Sequence, residues 1–122
     1  MAKTIFIIDD SAVMLASVRQ NLEIAGFKVE TAKDGQEAFN RVKTGLKPDL
    51  IITDINMPNM NGIDFIKNVR PLLRFTPILV LTTENQTAKR DEAKKLGATG
   101  WLVKPASGTE LIKVIKQVLP GA

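Results

Sequence analysis

The feature of this chain that most limits its fold is a fivefold alternation of short apolar runs with longer amphipathic stretches. The apolar runs are four or five residues long. Most are continuous and rich in β-branched side chains, which is typical of strands that are buried on both faces of a parallel sheet. The predicted strands are Thr4–Ile8, Lys28–Ala32, Leu50–Thr53, Ile78–Leu81 and Gly100–Val103.

The stretches between the predicted strands carry apolar residues at helical spacing. The first has Met14, Val18 and Leu22 in this pattern and stops at Gly26. The other predicted helices are Asp34–Thr44, a stripe of Ile63, Ile66 and Val69 that ends at Pro71, Thr87–Leu96, and a stripe of Leu111, Ile115 and Val118 after the capping box Ser107…Glu110. Strand and helix alternating five times predict an α/β fold, (βα)5, with a doubly wound five-stranded parallel sheet. At 122 residues we expect a single domain spanning 1–122.

The residue types that are missing exclude several classes of chemistry. The chain has no cysteine and no histidine. Disulfides, cysteine zinc sites, thiolate nucleophiles and Ser-His-Asp triads are therefore excluded. Any chemistry must use carboxylates, hydroxyls or lysine, with or without a hard metal ion.

The charge and hydropathy of the chain bear on its partners and location. Lysine and arginine outnumber the acidic residues 17 to 13, but they are scattered, and aromatic residues make up only 5%. This pattern does not favour binding of nucleic acid, which uses clustered basic and stacking residues. No apolar run approaches the roughly 18 residues of a membrane span, and the N-terminal apolar stretch is too short for a signal peptide. We expect a soluble cytoplasmic monomer that acts through another protein, unless the chain is a piece of a longer one.

Polar residues follow four of the predicted strands directly. They are Asp9 and Asp10, Asp54, Thr82, and Lys104. In an open parallel sheet the carboxyl ends of the strands share one edge, where ligands bind at the point at which the strand order reverses. Taken singly, these residues have ordinary structural interpretations as helix caps, turn residues, β-formers or solvated charges. Their convergence on one edge favours a functional site.

The residues at this edge suit phosphoryl chemistry. Three carboxylates in one cleft repel one another, and Lys104 together with Mg²⁺, which prefers oxygen ligands, would offset that repulsion. An aspartate is ionised at neutral pH and can attack phosphorus without a general base. Thr82 could donate a hydrogen bond to a phosphoryl oxygen, and phosphoryl transfer mainly requires such positioning and charge neutralisation.

The whole set resembles a known family. The residues concerned are Asp9-Asp10, Asp54 within DINMPNMNG, Thr82 within LTTE, and Lys104-Pro105. Together they are similar to the receiver domain of two-component response regulators, and the stand-alone chemotaxis type is the most similar. The resemblance spans the whole chain and implies the flavodoxin-like fold of that family.

The resemblance implies a role for each acidic residue. Asp54 would be the phosphoacceptor. Mg²⁺ would be held by Asp54, by Asp10 directly, by Asp9 largely through water, and by the backbone carbonyl of Asn56.

The resemblance also implies a conformational switch. Thr82 would move onto the phosphoryl group, Lys104 would pair with it, and the peptide bond between Lys104 and Pro105 would be cis. Trp101 falls where the family has an aromatic residue that packs inward when the threonine moves. This movement would remodel the face formed by the fourth and fifth helices and the fifth strand.

Three further positions would tune the kinetics. Asn56 and Glu84 stand two residues after the acceptor and two after the switch threonine, where side chains flank the phosphoryl group. Thr83 is larger than the alanine or serine that often follows the threonine.

Ala106 replaces the aromatic residue usual after the Lys-Pro pair, which removes apolar area from a face often used for partners.

The implied function is a phosphorylation-controlled binding module, which promotes its own phosphorylation and dephosphorylation but is not a true enzyme. Its partners would be a histidine kinase or phosphotransfer protein and a downstream target, such as a flagellar motor switch. One alternative is a stand-alone receiver in a phosphorelay outside chemotaxis. A second, from another class, is a Mg²⁺-dependent phosphatase with an aspartyl nucleophile, although such enzymes use Asp-x-Asp where this chain has adjacent aspartates.

Overall fold

The computed structural model describes residues 2–119 and 121. Within them, strands and helices alternate along the whole chain. The elements are β1 (Thr4–Ile8), α1 (Ala12–Ile24), β2 (Lys28–Ala32), α2 (Gly35–Lys43), β3 (Leu50–Thr53), α3 (Gly62–Val69), β4 (Ile78–Thr82), α4 (Thr87–Lys95), β5 (Gly100–Val103) and α5 (Gly108–Val118). This order confirms the predicted (βα)5 architecture.

The five strands form one parallel sheet in the order β2-β1-β3-β4-β5. The chain first moves outward from β1 to β2, then returns to the other side of β1 and continues outward through β3, β4 and β5. The order therefore reverses between β1 and β3, and their carboxyl ends form the crevice expected of a doubly wound sheet. β4 is one residue longer than predicted because Thr82 still pairs with Val103 of β5.

Two apolar layers cover the sheet. On one face, Val18 and Leu22 of α1 pack with Leu111 and Ile115 of α5 against side chains of β1, β3 and β4. On the other face, α2, α3 and α4 pack against the alternate side chains of the same strands. Because both faces are covered, the central strands are apolar throughout rather than alternating.

Capping residues mark the start of most helices, and so the end of each loop that leads from a strand to the next helix. Ser11, Asp34, Asn61 and Ser107 each accept a hydrogen bond from the backbone N–H three residues further on. α4 differs, since its cap residue Gln86 makes no side-chain capping bond. None of the helices in the described part of the chain is both long and apolar enough to cross a membrane.

Candidate functional site

Three aspartates meet at the carboxyl end of the sheet. Asp9 and Asp10 follow β1, and Asp54 follows β3, the adjacent strand. The backbone N–H of Asp54 donates to the carbonyl of Ile8 over 2.9 Å, which holds the two strand ends together. One carboxylate oxygen from each aspartate lies within 4.8 Å of the others. The structure thus brings together the three acidic residues that the sequence predicts.

Lys104, the residue that follows β5, joins this acidic cluster. Its Nζ donates to Oδ2 of Asp9 over 2.7 Å and to Oδ2 of Asp54 over 3.0 Å. The three side chains are 13%, 7% and 10% exposed, respectively. Burial alone would lower the pKa of Lys104, but the two carboxylates outweigh it, and the pKa is raised above its usual value. The peptide bond between Lys104 and Pro105 is cis.

The other carboxylate oxygens are held by backbone groups. Oδ1 of Asp54 accepts from the N–H of Ile55 over 2.6 Å, and Oδ1 of Asp9 accepts from the N–H of Ser11 over 2.9 Å. Asp10 is exposed. Three carboxylates and one ammonium give a formal charge of −2, and their oxygens are the hard ligands that Mg²⁺ prefers. The residues present therefore fit a divalent ion of this kind.

Thr82 and Trp101 converge on one backbone segment beside the cluster. The Thr82 side chain is buried at the end of β4, and its Oγ1 accepts from the N–H of Glu84 over 3.2 Å. Trp101 is half-buried on β5, and its indole N–H donates to the carbonyl of Glu84 over 3.2 Å. A displacement of Thr82 Oγ1 would break its hydrogen bond with the backbone N–H of Glu84. The backbone carbonyl of the same residue accepts the hydrogen bond from the indole. The two predicted switch residues are therefore linked through Glu84.

The predicted tuning residues lie at the rim. Asn56 and Thr83 are exposed. The Glu84 carboxylate pairs with Nζ of Lys89 over 3.0 Å, and this bond is the main reason that the pKa of Glu84 lies below its usual value. Sequence reasoning missed Lys89, because on the charged helix α4 it has no feature that separates it from its solvated neighbours.

Sequence reasoning also missed how the loop between β3 and α3 is fixed. The Asn59 side chain donates to Oδ2 of Asp34 over 2.8 Å, and the N–H of Gly35 donates to the carbonyl of Met60 over 3.1 Å. In the sequence Asp34 indicates only the start of a helix. Asn59 has a φ of 68° in the structure. Its residue type gives a weak signal in the sequence, since asparagine tolerates the left-handed region better than most residues.

Comparisons with known proteins agree with this site. Residues 5–116 match the family described as "Response regulator receiver domain". The chain is 36% identical over 119 residues to the chemotaxis protein CheY of Thermotoga maritima, covering 97% of this chain and 98% of that protein. It is 35% identical over 119 residues to the alkaline phosphatase synthesis transcriptional regulatory protein PhoP of Bacillus subtilis, covering 98% of this chain. The chain spans only 49% of PhoP, about half of that relative's length.

A solved structure of similar fold supports the same assignment. The chemotaxis protein CheY4 of Vibrio cholerae superposes with a TM-score of 0.91 at 44% sequence identity, covering 98% of this chain and all of that one. The match in sequence and in fold extends over the strand ends that carry the acidic cluster and Lys104. The chain therefore belongs to the response regulator receiver domain family, CheY-like signalling proteins of two-component systems rather than a classical enzyme family.

Proposed function

We propose that this protein is a single receiver domain over residues 1–122 that accepts a phosphoryl group on Asp54 from the phosphohistidine of a histidine kinase or phosphotransfer protein. The observation that carries the proposal is the contact of one lysine with two aspartates. Lys104 reaches both Asp9 and Asp54 in a cluster that is otherwise all carboxylate. Lys104 offsets only part of the charge of this cluster, and the ammonium that pairs with Asp54 is placed to balance the negative charge of a phosphoryl group bound there.

The transfer moves one phosphoryl group. Oδ2 or Oδ1 of Asp54 forms a bond to phosphorus as the bond between phosphorus and the donor histidine nitrogen breaks, and that nitrogen keeps the electron pair as a neutral imidazole. Asp54 needs no general base because it attacks as the carboxylate. Oδ1 is held by the N–H of Ile55 and Oδ2 by Lys104, so both oxygens have fixed directions before the donor arrives.

Mg²⁺ belongs to the same proposal. Asp10 and Asp54 would hold the ion directly, Asp9 largely through water, and the backbone carbonyl of Asn56 would complete the protein's share of ligands. The bound ion would neutralise charge that develops on the phosphoryl oxygens. Lys104 would contribute the remaining positive charge and orient the acyl phosphate once it forms.

The switch part of the proposal follows from the contacts at Glu84. When Thr82 turns its hydroxyl toward the phosphoryl group, its bond to the N–H of Glu84 is lost, and the segment that holds Trp101 is free to move. This would change the surface formed by α4, β5 and α5, and with it the affinity for partner proteins that bind there. Asn56, Thr83 and Glu84, with Glu84 anchored by Lys89, would set the access of water to the acyl phosphate and so its lifetime.

The partners follow from similarity. The chain is 36% identical to the chemotaxis protein CheY of Thermotoga maritima and 44% identical to CheY4 of Vibrio cholerae. We therefore propose a cytoplasmic, monomeric chemotaxis regulator whose target is a protein such as the flagellar motor switch. A receiver in another phosphorelay is the second candidate, because the chain is also 35% identical to about half of a transcriptional regulatory protein.

The test is the intact mass of the protein after incubation with acetyl phosphate and Mg²⁺, beside the variant Asp54→Asn. We expect one phosphoryl adduct in the wild type, lost without Mg²⁺ and lacking in the variant. The single tryptophan, Trp101, reports the switch in the same samples through its fluorescence. An adduct that persists in Asp54→Asn would move the nucleophile to another residue, and no adduct under any condition would refute the proposal.

A further inference from the structure

The carboxylate of Asp34 connects two elements outside the acidic cluster. Its Oδ1 accepts from the backbone N–H of Glu37 over 2.8 Å and so caps α2. Its Oδ2 accepts from the side-chain amide of Asn59 over 2.8 Å, in the loop of residues 54–61 that follows β3. Asp34 is only 4% exposed, although it does not contact the aspartates of the site. Capping a helix explains the first of these bonds and leaves the second unexplained.

A backbone contact joins the same two elements. The N–H of Gly35 donates to the carbonyl of Met60 over 3.1 Å. A Cβ on Gly35 would lie 2.4 Å from that carbonyl oxygen, closer than any side chain tolerates. Residue 35 must therefore be glycine for the loop to rest against the start of α2.

These two contacts fix the middle of the loop 54–61. Asn59 has a φ of 68°, and the N–H of Met60 donates back to the carbonyl of Pro58 over 2.7 Å, so the chain turns sharply there. The far end is fixed by the N–H of Gly62, which donates to the carbonyl of Ile55 over 2.8 Å. Asn56 lies between Ile55 and this turn, so the direction of its backbone carbonyl depends on where the loop is held.

We propose that Asp34 is a positioning residue for the metal site. Through Asn59 it would hold the loop 54–61 in the conformation in which the backbone carbonyl of Asn56 serves as a ligand of the proposed Mg²⁺ site. This inference rests on the proposed function, because it concerns the carbonyl that would bind Mg²⁺. Residues that orient a metal ligand typically change metal affinity by 10- to 100-fold when they are removed.

Two substitutions separate this role from helix capping. Serine caps a helix as well as aspartate does, so Asp34→Ser keeps the bond to Glu37, but its single short hydroxyl cannot also reach Asn59. Asn59→Gly removes the donor from the other side and tolerates the positive φ. Ser107→Ala is the matched control, since it removes a side-chain cap from α5, which lies on the opposite face of the sheet from α2.

The experiment measures Mg²⁺ binding by calorimetry with chelator-treated protein. We expect both Asp34→Ser and Asn59→Gly to raise the dissociation constant about tenfold, with the double variant no worse than either alone. Ser107→Ala should lower the melting temperature and leave Mg²⁺ affinity unchanged. If the wild type binds and the two loop variants bind equally well, Asp34 is a cap only and the inference is wrong.

A second readout needs no metal. In Mg²⁺-free protein, amide hydrogen exchange across residues 55–61 should be faster in both loop variants, with exchange in β1 and β3 unchanged. Equal exchange rates over the loop would also overturn the inference. If the wild type itself binds no Mg²⁺, the metal part of the proposed function fails and this inference fails with it, which is distinct from failure in the variants alone.

Discussion

Lys104 is the residue whose removal tests the electrostatics of the site most directly. The substitution Lys104→Met keeps much of the side-chain volume and removes the ammonium. The cluster then holds three carboxylates and no cation, a formal change from −2 to −3. We expect this variant to fold but to be markedly less stable when no metal is added.

The size of the effect follows from the geometry. With Nζ at 2.7 and 3.0 Å from the two carboxylates, each pair has a Coulomb energy of roughly 5 to 6 kcal/mol at an effective dielectric constant of about 20. The cost of desolvating the ions offsets much of this. Removing one partner of a buried pair typically costs about 3 to 5 kcal/mol, because the remaining charge is left without compensation. Since Lys104 keeps 13% of its surface exposed, we expect about 3 kcal/mol, or roughly 10 °C in melting temperature.

The assay is urea unfolding at neutral pH with chelator, followed by the fluorescence of Trp101. Lys47→Met is the matched control, because the same change at an exposed loop lysine should stay within about 0.5 kcal/mol of the wild type. Adding Mg²⁺ should narrow the gap between Lys104→Met and the wild type, since the ion supplies the missing positive charge. A loss below about 1 kcal/mol without metal would refute the view that Lys104 balances the cluster.

Two further predictions concern Gly62 and Asp34. Gly62→Ala should lower the free energy of unfolding by about 3 kcal/mol in the same urea assay, because the added Cβ would lie 2.1 Å from the backbone carbonyl oxygen of Asp54. Stability near that of the wild type would contradict this and show that the loop can shift at little cost. The hydrogen bonds from Glu37 and Asn59 lower the pKa of Asp34 from its ordinary value of 3.8. The ionised carboxylate therefore stabilises the protein fully above that ordinary value, and the stabilisation is lost as the pH falls through the lower pKa of the folded state. The difference in unfolding free energy between the wild type and Asp34→Ser should therefore be constant above about pH 5 and shrink below about pH 4, and an unchanged difference at acid pH would contradict the assignment.

The sequence predicts the backbone of this site better than its side-chain contacts. The strand ends are predictable because each buried apolar run stops at a polar residue, and parallel strands bring such ends to one edge. Asp9, Asp54 and Lys104 converge for that reason. The predicted end of β4 is one residue too early. Thr82 pairs with Val103 of β5 and so extends the strand, and the apolar pattern of the sequence cannot predict this pairing.

The contacts that fix the loops could not be predicted. The bond from Asn59 to Asp34 spans 25 residues and depends on how the loop after β3 packs against the start of α2. The pair of Glu84 and Lys89 depends in the same way on how α4 starts, where Gln86 makes no side-chain capping bond. Such contacts are decided by tertiary packing, and single-residue propensities contain no information about them.

The bond between Lys104 and Asp9 joins residues that are 95 positions apart in the chain. During synthesis the aspartates leave the ribosome long before the lysine does, so a chain that has emerged only through α4 carries the three aspartates without the lysine that pairs with them. Closing so long a loop is entropically costly, and the contact forms only when β5 docks on the sheet edge. The ion pairs of the cluster are therefore complete only once β5 is in place, and a chain truncated before β5 would lack the cation that balances the aspartates.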